Sequence, residues 1–186
     1  ALSVAEREKP VWELVAAGNL ETLRGTIGWS MLAGVAMGLY LWTWPPGLWL
    51  FGILGVFYVI HLSLQHARGK SPEHAAFVGT VSLLTAGIMQ LSAVRTMRLG
   101  VTSQSISQPF LAFLVAGGVV FLAWLSREVE TRDVPRYAYP GIVFGLIVTV
   151  AGLTALVLPD LFSFFYSQVD RVLGFFTPTG TGLGTI

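Results

Sequence analysis

GTIGWSMLAGVAMGLYLWTWPPGLWLFGILGVFYVIHLSLQHA, residues 25–67, contains no Asp, Glu, Lys or Arg. A bilayer span needs about 20 apolar residues. The stretch is too long for one span and long enough for two. Its middle reads Trp44-Pro45-Pro46-Gly47. Two adjacent prolines lack amide donors and restrict the residues before them, so a helix must end there. The reading is a tight helical hairpin with its turn at the membrane surface. Trp42, Trp44 and Trp49 flank the turn, where amphipathic rings sit well at headgroup depth.

Working outward, further charge-free stretches cover 74–94, 99–126 and 137–159. The expected fold is an all-α membrane protein of about five transmembrane helices, near 26–44, 47–65, 75–94, 109–126 and 140–158. Interfacial amphipathic helices flank them. Composition agrees. Of 186 residues, 54% are hydrophobic and 11% are charged, with a mean hydropathy of +0.70. A soluble domain usually carries about 25% charged residues. The absence of cysteine excludes disulfides, thiolate metal sites and cysteine nucleophiles. A net charge of +1 provides no basic face, so no nucleic acid partner is expected.

Four segments follow: an N-terminal interfacial segment 1–25, a transmembrane bundle 26–158, an external amphipathic helix 159–176 and a flexible Gly/Thr tract 177–186. The first mixes Glu6, Arg7, Glu8 and Lys9 with Val11, Trp12, Leu14 and Val15, unlike a signal peptide. Pro10 suits the first turn of a short helix there. In the third, Phe162, Phe165, Val169 and Leu173 repeat at helical spacing, with Ser163, Ser167 and Asp170 opposite. That pattern is a helix lying in the membrane surface or one packed on the outer side. The chain begins at Ala1 instead of Met and stops at Ile186 after a loop-forming tract, which suggests processing or a piece of something longer.

Orientation follows from the basic residues. Arg7, Lys9, Arg24, Arg68, Lys70, Arg127, Arg132 and Arg136 fall on one side, against Arg95, Arg98 and Arg171 on the other. The positive-inside rule puts the N-terminus in the cytoplasm and the C-terminus outside. The expected location is the cell membrane, multi-pass, with membrane lipids as partners.

Within the spans, Gly34 and Gly38 are four apart, as are Gly141 and Gly145. Such pairs either mark close helix seams or reflect the frequency of glycine in membrane helices. His61 and Gln65 lie one turn apart near a helix end, and Gln90 shares a helix with Ser82 and Thr85. No acid lies within a span to complete a proton relay, so His61 reads as structural. His66 and His74 flank Arg68 and Lys70 and read as solvated loop residues. With Glu73 they match no helical metal spacing.

Several stretches resemble a known family. REVETRDVPRYAYPGIVFGLIVTVAGLTALVLPDLFSFFYSQVDRVLGFF with the Gly/Thr tract after it, EREKPVWELV at 6–15, LWTWPPGLWLFGILGVFYV at 41–59 and RGKSPEHAAF at 68–77 look like archaeal oligosaccharyltransferase catalytic subunits of the AglB type. The resemblance covers nearly the whole chain. It implies transfer of a glycan from a dolichol phosphate carrier to an acceptor Asn. Dolichol-linked glycan and acceptor peptide would be partners, and a divalent metal, Mg or Mn, the family's cofactor. Further subunits or the rest of a longer chain would complete it. Five spans ending outside at Thr185-Ile186 would match the part leading into the family's large external loop. Thr185 and Ile186 would be the first half of its TIxE motif, near the substrates. The family's DxD and WWDYG motifs are absent, so no catalytic residue or metal ligand carries over to this chain. The alternative is a non-catalytic helical subunit of a respiratory or photosynthetic complex, which low intramembrane charge and many aromatics would also suit. A transporter half is weaker, since no broken helix or buried ion pair is visible.

Overall fold

The computed structural model describes residues 11, 14, 20–98, 100, 103–160, 162, 163 and 166. It contains α1 (Leu20–Thr43), a 3-10 turn (Pro45–Leu48), α2 (Trp49–Ala67), α3 (Glu73–Leu91), α4 (Ser107–Thr131) and α5 (Ala138–Val157). Among the described residues there is no strand, only an isolated bridge between Thr96 and Ser105. The chain divides into two compact units, Ala1–Pro140 and Gly141–Ile186.

Each expected span has a helix, but the helices overrun the charge-free stretches. α1 begins at Leu20 and includes Glu21 and Arg24; α4 continues through Arg127, Glu128 and Glu130 to Thr131. Charge marks where the membrane ends, and these side chains remain good helix formers in water. Pro45 and Pro46 occupy the first positions of the 3-10 turn, where a missing amide costs nothing. A Cβ on Gly47 would run into the Tyr40 ring, so glycine lets that ring pack directly on the hairpin turn.

Four stretches are long and apolar enough to cross a membrane: Pro45–Ala67, Glu73–Leu91, Ser107–Thr131 and Ala138–Val157. α1 is long enough at 24 residues, but Trp29, Ser30, Tyr40, Thr43 and its glycines dilute its apolar character. Among the described residues, four candidate spans therefore lie within the five long helices of the expected all-α membrane fold.

In the first unit α3 packs against α1 and α4, and α2 packs on α4. The buried faces mix small side chains, Ala76, Ala86, Ala112, Ala116 and Ala123, with larger ones such as Leu41, Phe51, Leu62 and Leu83. Large apolar side chains such as Ile53, Phe57, Ile88, Leu114 and Trp124 point outward. A water-soluble fold would place these inside. Small residues at helix contacts, together with large apolar side chains on the outer face, suit helices in lipid.

The Gly34–Gly38 pair makes a true seam. A Cβ on Gly34 would strike the Ser82 carbonyl and Thr85, and one on Gly38 would lie 2.8 Å from Met89 Sδ. Gln90 Nε2 donates to the Gly38 carbonyl at 2.8 Å across the same seam. Several hydroxyls inside the helices are satisfied locally, although Thr80 Oγ1 of α3 is buried without a partner. Ser30 donates to Thr26, Ser82 to Val78 and Thr85 to Val81, each to the carbonyl four residues back.

Val11 and Leu14 are buried against Leu23 and Phe77, with Ile27 and Val81 beside them. The rest of the expected helix from Pro10 lies outside the described residues. So do 167–176 of the external helix and the whole 177–186 tract. In the second unit, Thr149 and Thr154 donate to the carbonyls of Gly145 and Val150. Phe162 and Tyr166 stack at 6.1 Å.

Candidate functional site

Polar side chains of the first unit gather where α2 ends, α3 begins and α4 ends. The chain leaves α2 through Gly69, whose φ of +70° is a conformation that favours glycine. Two bonds lock the turn: Gly69 N–H to the His66 carbonyl and Lys70 N–H to the Gln65 carbonyl, both 2.9 Å. α3 then opens with Glu73 in its first turn, a favourable place for a carboxylate.

His66 is not the solvated loop residue expected from its neighbours. It lies in the last turn of α2 and is only 4% exposed. Its Nδ1 shares a 2.6 Å hydrogen bond with Ser126 Oγ of α4. Its ring packs on Tyr139 at 4.4 Å, and the Tyr139 hydroxyl donates to the Leu122 carbonyl at 2.8 Å. Burial arises because α4 crosses α2 at this point, a pairing that adjacent basic residues cannot reveal. His74 is exposed, as expected, but belongs to α3. His61 accepts from Gln65 Nε2 at 2.9 Å and stacks on Phe57.

Beside His66 lies a cavity of about 200 Å³. Lys70, Glu73, Arg127, Glu130 and Arg136 also line it. Glu73 is 5% exposed and Ser126 2%. Arg127 Nε stands 3.5 Å from Glu73 Oε1, and Arg136 stands 3.5 Å from Glu130 Oε1. His66 Nε2 and Glu73 Oε2 are buried without a partner. No group of three or more His, Asp or Glu side chains among the described residues could hold a metal ion. Thr185 and Ile186 lie outside the described residues.

Long apolar helices, small residues at their contacts and charge confined to their ends define a multi-pass helical membrane protein. Over 175 residues, 94% of its length, the chain is 45% identical to the dolichyl-monophosphooligosaccharide–protein glycotransferase AglB of Haloferax volcanii. The chain spans 17% of the length of that relative. No family model and no solved structure matches it. The chain resembles part of an AglB-type oligosaccharyltransferase, and the respiratory or photosynthetic subunit is not favoured.

Proposed function

We propose that this segment forms part of the membrane wall of an oligosaccharyltransferase that moves a glycan from a dolichol phosphate carrier to acceptor Asn. The observation that carries the reading is the 45% identity extending over 94% of the chain. In this reading segment 1–25 lies at the cytoplasmic interface, 26–158 is the bundle, and 159–176 is an external amphipathic helix. The tract 177–186 leads into the external loop, where Thr185 and Ile186 begin a TIxE motif near the substrates. The divalent metal and the catalytic carboxylates come from outside this chain.

The test is a graft. The matching segment of Haloferax volcanii AglB is replaced by this chain in cells lacking their own copy, and glycosylation of a reporter protein is followed by mass spectrometry. Restored glycan is the expected result. A chimera that inserts at normal levels but leaves the reporter bare overturns the reading. The isolated chain, given dolichol-linked glycan, an Asn-x-Thr peptide and manganese, should show no chelator-sensitive turnover.

Orientation has its own test, because the chain has no cysteine of its own. Ser71 and Ser103 are exposed at opposite ends of the first unit. A single cysteine at Ser71 should react only from the cytoplasmic side, and one at Ser103 only from outside. The reverse pattern refutes the proposed orientation.

A further inference from the structure

The cavity at the end of α2 is built and incomplete. His66, Glu73 and Ser126 are buried around it, yet His66 Nε2 and Glu73 Oε2 have no partner. Orphaned buried polar atoms are uncommon because each costs its full desolvation. Something polar should fill the space. A water occupies about 30 Å³ in the liquid, so the roughly 200 Å³ present exceeds what one water needs.

The lining describes the occupant. Lys70, Arg127 and Arg136 are cationic, and Glu73 and Glu130 are anionic, which leaves one positive charge. A phosphodiester carries the complementary single negative charge. Lys70 makes no ion pair among the described residues, and Arg127 and Arg136 each make one long contact. All three can turn N–H groups toward phosphate oxygens. Glu73 Oε2 asks for the opposite, a donor from the ligand. The cavity also lies at the ends of three apolar helices, where spans of this length meet the headgroup region.

We propose that this cavity binds a phospholipid headgroup consisting of a phosphodiester and a hydrogen-bond donor, either hydroxyl or primary ammonium. Lys70, Arg136 and His66 Nε2 face the phosphate, and Glu73 Oε2 accepts from the donor. Choline, which has no N–H or O–H, leaves Glu73 unsatisfied. The inference rests on the membrane spans and this cavity, and not on glycan transfer.

The experiment is a lipid titration of the purified 186-residue chain in detergent, read by native mass spectrometry. Phosphatidylglycerol, phosphatidylethanolamine and phosphatidylcholine of the same acyl chains are compared. The first two should bind about tenfold more tightly than phosphatidylcholine, the value of one charge-assisted hydrogen bond. Lys70→Ala with Arg136→Ala should weaken both by about tenfold or more. Both residues are exposed, so the fold should survive, which circular dichroism checks. Glu73→Met should abolish the preference over phosphatidylcholine while phosphate-driven binding remains. Equal binding of all three lipids to the unaltered chain overturns the proposal. So does unchanged binding in the double variant. Soluble glycerophosphoethanolamine binding as tightly as the lipid would make the ligand a free phosphodiester and overturn the lipid assignment.

Discussion

The first unit closes its two ends by opposite means. At the end where α1 finishes, residues 103–106 reach back to the helices. Gln104 Nε2 donates to the carbonyls of Leu41 and Trp42, at 3.1 and 3.2 Å. Gln108 Oε1 accepts from the Ser105 amide at 2.9 Å, and its Nε2 donates to the Ser103 carbonyl at 2.8 Å. The Ser107 hydroxyl accepts from the Gly100 amide at 2.9 Å. Neutral amides and hydroxyls are matched to backbone groups that a loop would otherwise leave bare. The other end uses charge, and His66 Nε2, Glu73 Oε2 and Gln65 Oε1 stay unmatched there; near the first end Gln90 Oε1 is unmatched too. A side chain matched to the backbone fixes one conformation. Unmatched atoms around a cavity are free to meet a ligand.

That contrast holds only if the seam joining the ends is firm, so the largest effect is expected there. Gly34→Leu would drive its side chain into the Ser82 carbonyl, a backbone atom with nowhere to go. Overpacking of this kind costs about 3 kcal/mol. Gly118→Leu is the control, because a Cβ there meets nothing within 4 Å. Its expected change is within about 0.5 kcal/mol. Reversible unfolding in mixed micelles measures both. Equal losses would show that α1 and α3 are not held by this seam.

Next come the ends themselves. Gln108→Ala removes two bonds to backbone groups and should cost about 2 kcal/mol. His66→Phe keeps an aromatic ring against Tyr139 and removes the unpartnered Nε2. It loses the Ser126 bond, so its net cost should stay below about 1 kcal/mol. A histidine that proved more costly to replace than Gln108 would reverse the assignment of the structural and the receiving end.

The seam and the ends were legible to different degrees. Residues 25–67 without a charge, broken by Pro45-Pro46, announce the hairpin because membrane burial and helix breaking are local properties. The structure puts the break at those residues. Helix limits were less visible, as Arg127 to Thr131 show, since charge stops a span without stopping a helix. The Gly34–Gly38 spacing was visible, but its partner, the Ser82–Met89 face, was not. His66 was misread because its neighbours in sequence are basic and its partner Ser126 lies on another helix. The sequence did offer one signal: His66 is one turn beyond Leu62, and both are buried on the same face of α2. Nothing local identified the cavity, which needs three helix ends to exist.

The smallest effect, at Arg132, comes from setting two ion pairs at the charged end side by side. Arg132 meets Glu128 at 2.6 Å, and Arg127 meets Glu73 at 3.5 Å. Distance alone ranks the first pair higher. Burial ranks them the other way. The Arg132 and Glu128 side chains are 72% and 36% exposed, so water and ions already serve both. An exposed pair four residues apart on a helix contributes about 0.5 kcal/mol. Glu73 is buried, and losing Arg127 leaves its carboxylate with no partner at either oxygen. Half exposure of Arg127 moderates the loss, to about 1–2 kcal/mol. Arg127→Ala should therefore destabilise more than Arg132→Ala in the same unfolding assay. Raising salt to about 1 M, where the screening length falls to about 3 Å, should erase the Arg132 effect and retain most of the Arg127 effect. If salt removes both equally, Glu73 is solvated in the folded chain, and the charged end is no more a binding cavity than the amide-closed one.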